Sequence, residues 1–269
     1  MMIERRRKLH SLKGIPIVLF TIWLGMTSLY VSNRFGVIGA VRPFIRAVEN
    51  RIVLYKTRNF SEIETDTFIY RYENIDEKTL DLIIQTAEDK YGSVADIFQY
   101  DFEEKILIVI YKDTDLMMRT TMLNKGDPPM GVYYGDSIHI ADPELWAAES
   151  QNLKEIFYRE GPVLHELAHL FTDHVGRGNF PIWFTEGVSL YFEYQIDGYQ
   201  WGQEIDFSKK IYSIEELNSN FKRLNQYWAY TESFRLVKGF VDQHGLEKLM
   251  EVIRLLGQGH SFDEFLYLF

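Results

Sequence analysis

The chain has 269 residues, 46% hydrophobic and 25% charged, a composition typical of a globular protein with a sizeable core. It contains no cysteine, which excludes disulfides and thiolate ligands, so any metal site must use His, Asp and Glu. The whole chain has 29 Lys/Arg and 39 Asp/Glu, of which residues 1–32 hold five Lys/Arg and one Glu. Residues 33–269 therefore carry 24 Lys/Arg and 38 Asp/Glu. An acidic body repels phosphates, so no nucleic-acid partner is expected.

The N-terminal sequence predicts a membrane anchor. Five Lys/Arg precede residues 14–33, a run of twenty without a charge, and about twenty apolar residues cross a bilayer as a helix. A cleaved signal peptide is the competing interpretation. Its apolar core would be about 7–15 residues long and end in a small-x-small site, which "MTSLYVSN" matches poorly. We expect residues 1–13 to form a basic cytoplasmic tail and residues 14–33 an uncleaved transmembrane signal anchor in the cell membrane, with an extracytoplasmic body.

The next segment, residues 34–60, alternates apolar and basic groups. It contains six Lys/Arg against one acidic residue, Glu49, and it includes Pro43. This pattern predicts a juxtamembrane helix broken at Pro43, or a stalk, with basic groups suited to anionic lipid headgroups. Residues 61–269 are predicted to form the folded domain.

Strand-like segments dominate the first part of that domain. "TDTFIYRYE" and "EKILIVIYKD" predict strands, the second of them buried. Between them, "DEKTLDLIIQTAEDKYG" predicts a helix with Asp76 as its N-cap and Gly92 at its end. "GVYYGDSIHIAD" alternates around Gly135 and Asp136, which predicts a hairpin or a bulged edge strand.

From about residue 150 onward the pattern is helical. In "LKEIFYREGPVLHELAHLFTDHVG", Gly161 and Pro162 either kink one helix or start a second one, and Pro181 opens the helix "PIWFTEGVSLYFEYQ". The remaining predicted helices are "IEELNS", "YTESFRLVKGFVDQHG", "LEKLMEVIRLL" and "SFDEFLYLF". A mixed strand and helix lobe followed by a helical lobe predicts an α+β fold.

The motif "HELAH" at residues 165–169 carries the chemistry. Four residues advance a helix by about 400°, so His165 and His169 project from one face and can reach one cation. Glu166 points about 100° away from His165, where it can take a proton from an attacking water. The bare motif also arises by chance, as two ordinary histidines on an amphipathic helix.

A third ligand is needed, and Glu186 is the strong candidate. It follows His169 by seventeen positions on a new helix, and the short loop between the helices folds the second back against the first. Glu193 shares that face but lies about 10 Å along the axis, which makes it the weaker candidate. His174 is expected to be a helix C-terminal dipole partner or a surface residue, and Asp173 to face solvent or support the ligands.

These motifs support a family resemblance. "HELAH" followed by "PIWFTEGVSLYFE" resembles the glutamate-zincin (gluzincin) metallopeptidases, especially the peptidase MA-like domains related to thermolysin and the zinc aminopeptidases. The resemblance spans roughly residues 65–256. It implies a thermolysin-like zincin domain with Zn²⁺ held by His165, His169 and Glu186, and Glu166 as general base. A His₂Glu set with an open fourth position is typical of catalytic zinc.

The chain also departs from that family pattern. The aminopeptidase segment that binds a free amino group is replaced by "MGVYYGDSIHIADP", so exopeptidase action is not expected. Leu190 stands where thermolysin-like enzymes have an aspartate, so His165 must be supported by another group. Similar domains place a tyrosine at the start of a later helix, which implies Tyr230 as the oxyanion donor. Tyr227 is the alternative donor, and core packing is the other interpretation of Tyr230.

The sequence therefore predicts a membrane-anchored zinc endopeptidase that acts on peptide or protein substrates. The alternative is a catalytically silent module of the same fold, which binds or assembles a complex at the cell envelope. The presence of Glu166 disfavours that alternative, because a binding module has no use for a base there. A structural lipid-interacting protein would explain none of these motifs.

Overall fold

The computed structural model describes residues 37–123, 126–147, 152–205 and 211–269. The tail and anchor predicted at 1–13 and 14–33 lie outside these residues. No helix within the described part of the chain is long and apolar enough to cross a membrane.

The chain alternates strands and helices up to residue 147 and is helical afterwards. In chain order the elements are α1 (37–56), β1 (Ser61–Glu64), β2 (Phe68–Tyr72), α2 (Glu77–Phe98), β3 (Ile106–Tyr111), α3 (Thr114–Thr120), β4 (Gly131–Tyr134), β5 (Ser137–Ala141), α4 (Glu144–Ala147), α5 (Leu153–Glu160), α6 (Val163–Gly176), α7 (Ile182–Phe192), a π-helix (Glu193–Asp197), α8 (Ile214–Asn220), a 3-10 helix (Phe221–Arg223), α9 (Gln226–His244), α10 (Leu246–Gly257) and a second 3-10 helix (Phe262–Leu268). The predicted α+β class is confirmed.

The five strands form one mixed sheet in the order β1-β2-β3-β5-β4. Strand β3 pairs in parallel with β2 and β5, while β1 and β4 are antiparallel edge strands. Every residue of β3 is buried, as its apolar sequence predicts. The predicted hairpin is β4–β5, with both turn residues, Gly135 and Asp136, at positive φ.

Each face of the sheet is covered by helices. On one face, alternate residues such as Ile108 and Ile138 pack with α2, α6 and α7 in the larger core. On the other face, Val109 packs with Val53 of α1 and Met117 of α3 in a smaller core. The sheet is therefore the middle layer, and β4 is the edge strand that contacts α6.

Several helix boundaries differ from the predictions. Asp76 caps α2 as predicted, accepting hydrogen bonds from two backbone N–H groups, but the helix passes Gly92 and ends only at Phe98. Gly92 lies inside the helix with helical geometry. The left-handed residue that ends the helix is Gln99, with φ 50°. Gly161 ends α5 and α6 begins afresh at Val163, the second of the two alternatives. Helix α9 begins at Gln226, so Tyr230 lies in its second turn.

Helix α1 is continuous through Pro43, so the predicted break is absent. Arg42 and Arg46, on either side of this proline, both contact Asp173 of α6, at 3.0 and 3.5 Å. These ion pairs hold the turns before and after Pro43 in one helix. The described part of the segment predicted as a juxtamembrane stalk thus packs against the domain.

Candidate metal centre

The two predicted histidines and Glu186 meet between α6 and α7. His165 and His169 lie one turn apart on α6, and α7 packs against that helix and brings Glu186 opposite them. The Nε2 atoms of the histidines are 3.1 Å apart, and each lies 3.3 Å from Glu186 Oε2. The structure therefore brings together the three ligands that the sequence predicts.

The spacing of these three atoms suits a small tetrahedral cation. Zinc binds histidine nitrogen and carboxylate oxygen at about 2.0–2.2 Å, so neighbouring ligand atoms in a tetrahedral site are roughly 3.3 Å apart. The observed separations of 3.1–3.3 Å match that value. One carboxylate and two imidazoles are also a ligand set that zinc commonly takes, so the donor chemistry fits.

The outer nitrogen of each histidine also has a partner. His165 Nδ1 lies 3.3 Å from Glu193 Oε1, and His169 Nδ1 lies 2.8 Å from Thr185 Oγ1. Such contacts fix the orientation and tautomer of a ligating imidazole. Glu193, the weaker ligand candidate, therefore contacts the far side of a ligand and supplies the support that Leu190 cannot.

Glu193 contacts His165 from the position where the helix changes its winding. Helix α7 ends at Phe192 and continues as the π-helix Glu193–Asp197, a wider turn that often occurs at functional sites. The last residue of this turn, Asp197, forms a buried ion pair with Lys90 of α2. The π-helix is thus fixed at both ends, at His165 and at Lys90.

The electrostatics of the cluster favour a cation. Burial alone would lower the pKa of His165, but the Glu193 and Glu186 carboxylates outweigh it and raise this pKa well above its usual value. Burial alone would raise the pKa of Glu186, but His169 and His165 outweigh it and lower that pKa. A cation bound here would take the place of the proton that these carboxylates favour on His165.

Glu166 lies beside the cluster and is held by the edge strand β4. Its Oε2 accepts a 2.6 Å hydrogen bond from the backbone N–H of Tyr133. Strand β4 and helix α6 approach so closely that a Cβ added to Gly131 would lie 2.4 Å from Pro162 Cβ and 3.2 Å from Glu166 Cγ. Burial raises the pKa of Glu166, opposed by the nearby His165 and His169.

Asp173 does not face solvent. Its side chain is buried and accepts hydrogen bonds from Arg42 Nε at 3.1 Å and from the Tyr133 hydroxyl at 2.7 Å. The same Tyr133 that binds Glu166 through its backbone is therefore fixed through its side chain. His174 lies in the last turn of α6, where it pairs with Asp136 of the β4–β5 turn. It is not one of the three side chains that meet at the candidate metal centre.

Tyr230 faces the three candidate ligands from α9. Burial, together with the Glu186 and Glu166 carboxylates and a hydrogen bond with Glu186, raises the pKa of the Tyr230 hydroxyl. Both Tyr230 and the alternative donor, Tyr227, line a cavity of about 690 Å³. The three candidate ligands and Glu166 line the same cavity. Trp201 completes an aromatic wall, with its ring centroid 5.6 Å from Tyr227 and 5.9 Å from Tyr230.

Two contributors to the site were missed from the sequence. Thr185 directly precedes Glu186, so its place on the ligand helix was a usable signal. Tyr133 acts through its backbone N–H, and no sequence signal identifies a strand residue that holds a helix side chain 33 positions away.

Together, the mixed sheet, the helical lobe and the candidate His₂Glu centre are those of a peptidase-like α+β protein. The Peptidase MA superfamily profile matches residues 87–268, and the chain belongs to that superfamily. Searches of curated proteins and of solved structures each found no match.

Proposed function

We propose that this protein is a membrane-anchored, zinc-dependent endopeptidase. The observation that carries the proposal is the convergence of His165, His169 and Glu186 at tetrahedral spacing, with the buried Glu166 beside them. Membership of the Peptidase MA superfamily supports peptidase chemistry. When bound, zinc would polarise the scissile carbonyl and make water more acidic.

Glu166 is the proposed general base. It would take a proton from the attacking water and pass it to the leaving amine. Its raised pKa improves both steps, because a carboxyl group transfers protons best when its pKa approaches the working pH. The Tyr133 N–H holds one carboxylate oxygen and leaves the other for the water.

Tyr230 is the proposed donor to the oxygen that becomes negative as water attacks. A donor must carry its proton, and a tyrosine hydroxyl does so at neutral pH; the upward direction of the Tyr230 pKa preserves this state. The aromatic wall beside it would receive an apolar substrate side chain.

Anchoring is proposed from residues 14–33, with the catalytic domain on the extracytoplasmic face of the cell membrane. A silent binding module of the same fold is the alternative. It is disfavoured by Glu166, which is buried beside the three candidate ligands, where a binding module has no use for a base.

The decisive experiment measures zinc content and hydrolysis of labelled casein on the purified full chain. Glu166→Gln should keep zinc and lose hydrolysis by on the order of 10²–10⁴-fold, because it removes only the base. The exposed variant Glu247→Gln is the matched control and should keep both. Full zinc stoichiometry at unchanged affinity in His169→Ala would show that the ligand assignment is wrong. Hydrolysis retained by Glu166→Gln would exclude the proposed mechanism.

A further inference from the structure

Helix α1 presents polar side chains to the domain along most of its length, with Val53 as the buried apolar exception, and apolar side chains to the outside. The side that meets the domain uses Arg42 and Arg46 on Asp173, and the Asn50 side chain donates to the Gly135 carbonyl at 3.0 Å. On the opposite side, seven apolar or aromatic side chains are 42–72% exposed: Val37, Ile38, Val41, Phe44, Ile45, Val48 and Tyr55.

Six of these side chains, from Val37 to Val48, form one continuous stripe, and Tyr55 lies on the same line two turns further along α1, with the Arg58 guanidinium 4.2 Å from its ring centroid. At about 100° per residue they fall within a sector about 120° wide, along a helix about 30 Å long. Water-soluble proteins rarely leave so continuous an apolar surface uncovered. The stripe therefore indicates an apolar environment on the side of α1 that faces away from the domain.

We propose that this stripe lies in the surface layer of a phospholipid bilayer. The uncharged run at 14–33 ends three residues before the stripe begins at Val37, so a span there would bring α1 to the membrane surface. Arg51 and Lys56 are exposed on the two edges of the stripe, where cations meet lipid headgroups; the Lys56 ammonium also donates one hydrogen bond to the Arg119 carbonyl.

Lipid binding by this stripe would orient the candidate active site. The inner face of α1 is fixed to Asp173, Asp173 is bound by the Tyr133 hydroxyl, and the Tyr133 N–H holds Glu166. A helix lying on the bilayer would thus hold the general base at a constant distance from the lipid surface. The inference extends the proposed anchoring and does not depend on peptide hydrolysis.

The chain contains no cysteine, so single-cysteine labelling is clean. Phe44→Cys and Val48→Cys, within the stripe, and Ala47→Cys, exposed but about 120° from the stripe centre, would each receive a nitroxide label in the full chain. The labelled proteins are reconstituted in phosphatidylcholine–phosphatidylglycerol vesicles. Collision rates with oxygen, which concentrates in lipid, and with a water-soluble nickel chelate are then measured.

We expect the ratio of oxygen to nickel collisions to be several-fold higher at positions 44 and 48 than at 47. Equal ratios at the three positions, in protein that stays in the vesicles, would overturn the lipid contact while leaving the anchor and the peptidase proposal intact. The lipid contact would also be overturned if the labels at positions 44 and 48 collided rarely with both probes and showed dipolar coupling between labels on different chains. That result would indicate that the stripe packs against a second copy of the chain. Loss of the chain from the vesicles would overturn both the anchor and the lipid contact. Circular dichroism of each variant verifies the fold.

Discussion

The outer nitrogen of the His165 imidazole, Nδ1, contacts the carboxylate of Glu193. Because Glu193 Oε1 lies 3.3 Å from Nδ1, it directs Nε2 toward the other two ligands. We expect Glu193→Ala to weaken zinc affinity by about 10–100-fold, the usual range for removing such a partner, without changing the stoichiometry. Competition with a chromophoric chelator measures this affinity. Glu247→Ala, an exposed control on α10, should bind zinc as the wild type does. An unchanged affinity in Glu193→Ala would refute the supporting role.

Tyr230 and Tyr227 both line the cavity, and a pair of phenylalanine variants separates them. Tyr230→Phe should keep the fold and zinc content but lower kcat by roughly 10²-fold, because it removes one hydrogen-bond donor to the oxyanion. Tyr227→Phe is the matched control, with the same atom removed from a more exposed ring, and should change kcat little. If only Tyr227→Phe lost activity, the donor role would pass to Tyr227. If neither did, both rings would serve packing.

The sequence predicted the residues that lie close together along one helix, and missed contacts that span the fold. His165, Glu166 and His169 follow from helix geometry alone, and Glu186 follows from a short loop. The buried position of Asp173 depends on α1, more than 120 residues away, so local spacing could not exclude a solvent-facing side chain. The site roles of Glu166 and Tyr230 remain predictions.

The position of α7 relative to α9 depends on a close helix–helix approach at Gly187. A Cβ there would lie 2.4 Å from the Ser233 carbonyl oxygen and 2.7 Å from Val237 Cγ2. Gly187→Ala should therefore force the helices apart, cost roughly 1–3 kcal/mol in the free energy of unfolding and weaken zinc binding through the adjacent Glu186.

Chemical unfolding and chelator competition test this prediction. The control is Gly239→Ala on α9, where a Cβ would meet nothing within 4 Å. That variant should raise stability by about 0.5–1 kcal/mol, because alanine is the better helix former. Equal effects of the two substitutions would show that the helices do not rely on the glycine.

Among the elements, periodic segments were predicted well and irregular ones were not. Strand β3 and helices α2, α6 and α7 carry strong apolar patterns. Strand β1 was missed because all four of its residues are exposed, which leaves no alternation to detect. The π-helix is supported by the contact of Asp197 with Lys90, 107 positions away, and no local pattern indicates that partner.

The stability of the whole molecule should depend on pH through His139, which is fully buried in β5. In the neutral ring, Nδ1 accepts from the Tyr111 hydroxyl at 2.8 Å and Nε2–H donates to the Tyr134 carbonyl at 3.2 Å. Burial lowers the pKa of His139 to about 4 from a usual 6.5. Between those values the unfolded chain binds a proton that the folded chain does not.

Stability should therefore fall as the pH drops from 6.5 to 4, by up to about 3 kcal/mol from this residue. His139→Gln removes the titrating group but keeps hydrogen-bonding capacity. Urea unfolding of both proteins at pH 7 and pH 4 measures the effect, and the contributions of all other groups cancel in the difference. The loss on acidification should be smaller in His139→Gln by that amount, whatever the variant's stability at pH 7. If both proteins lose the same stability, His139 must take up its proton in the folded state.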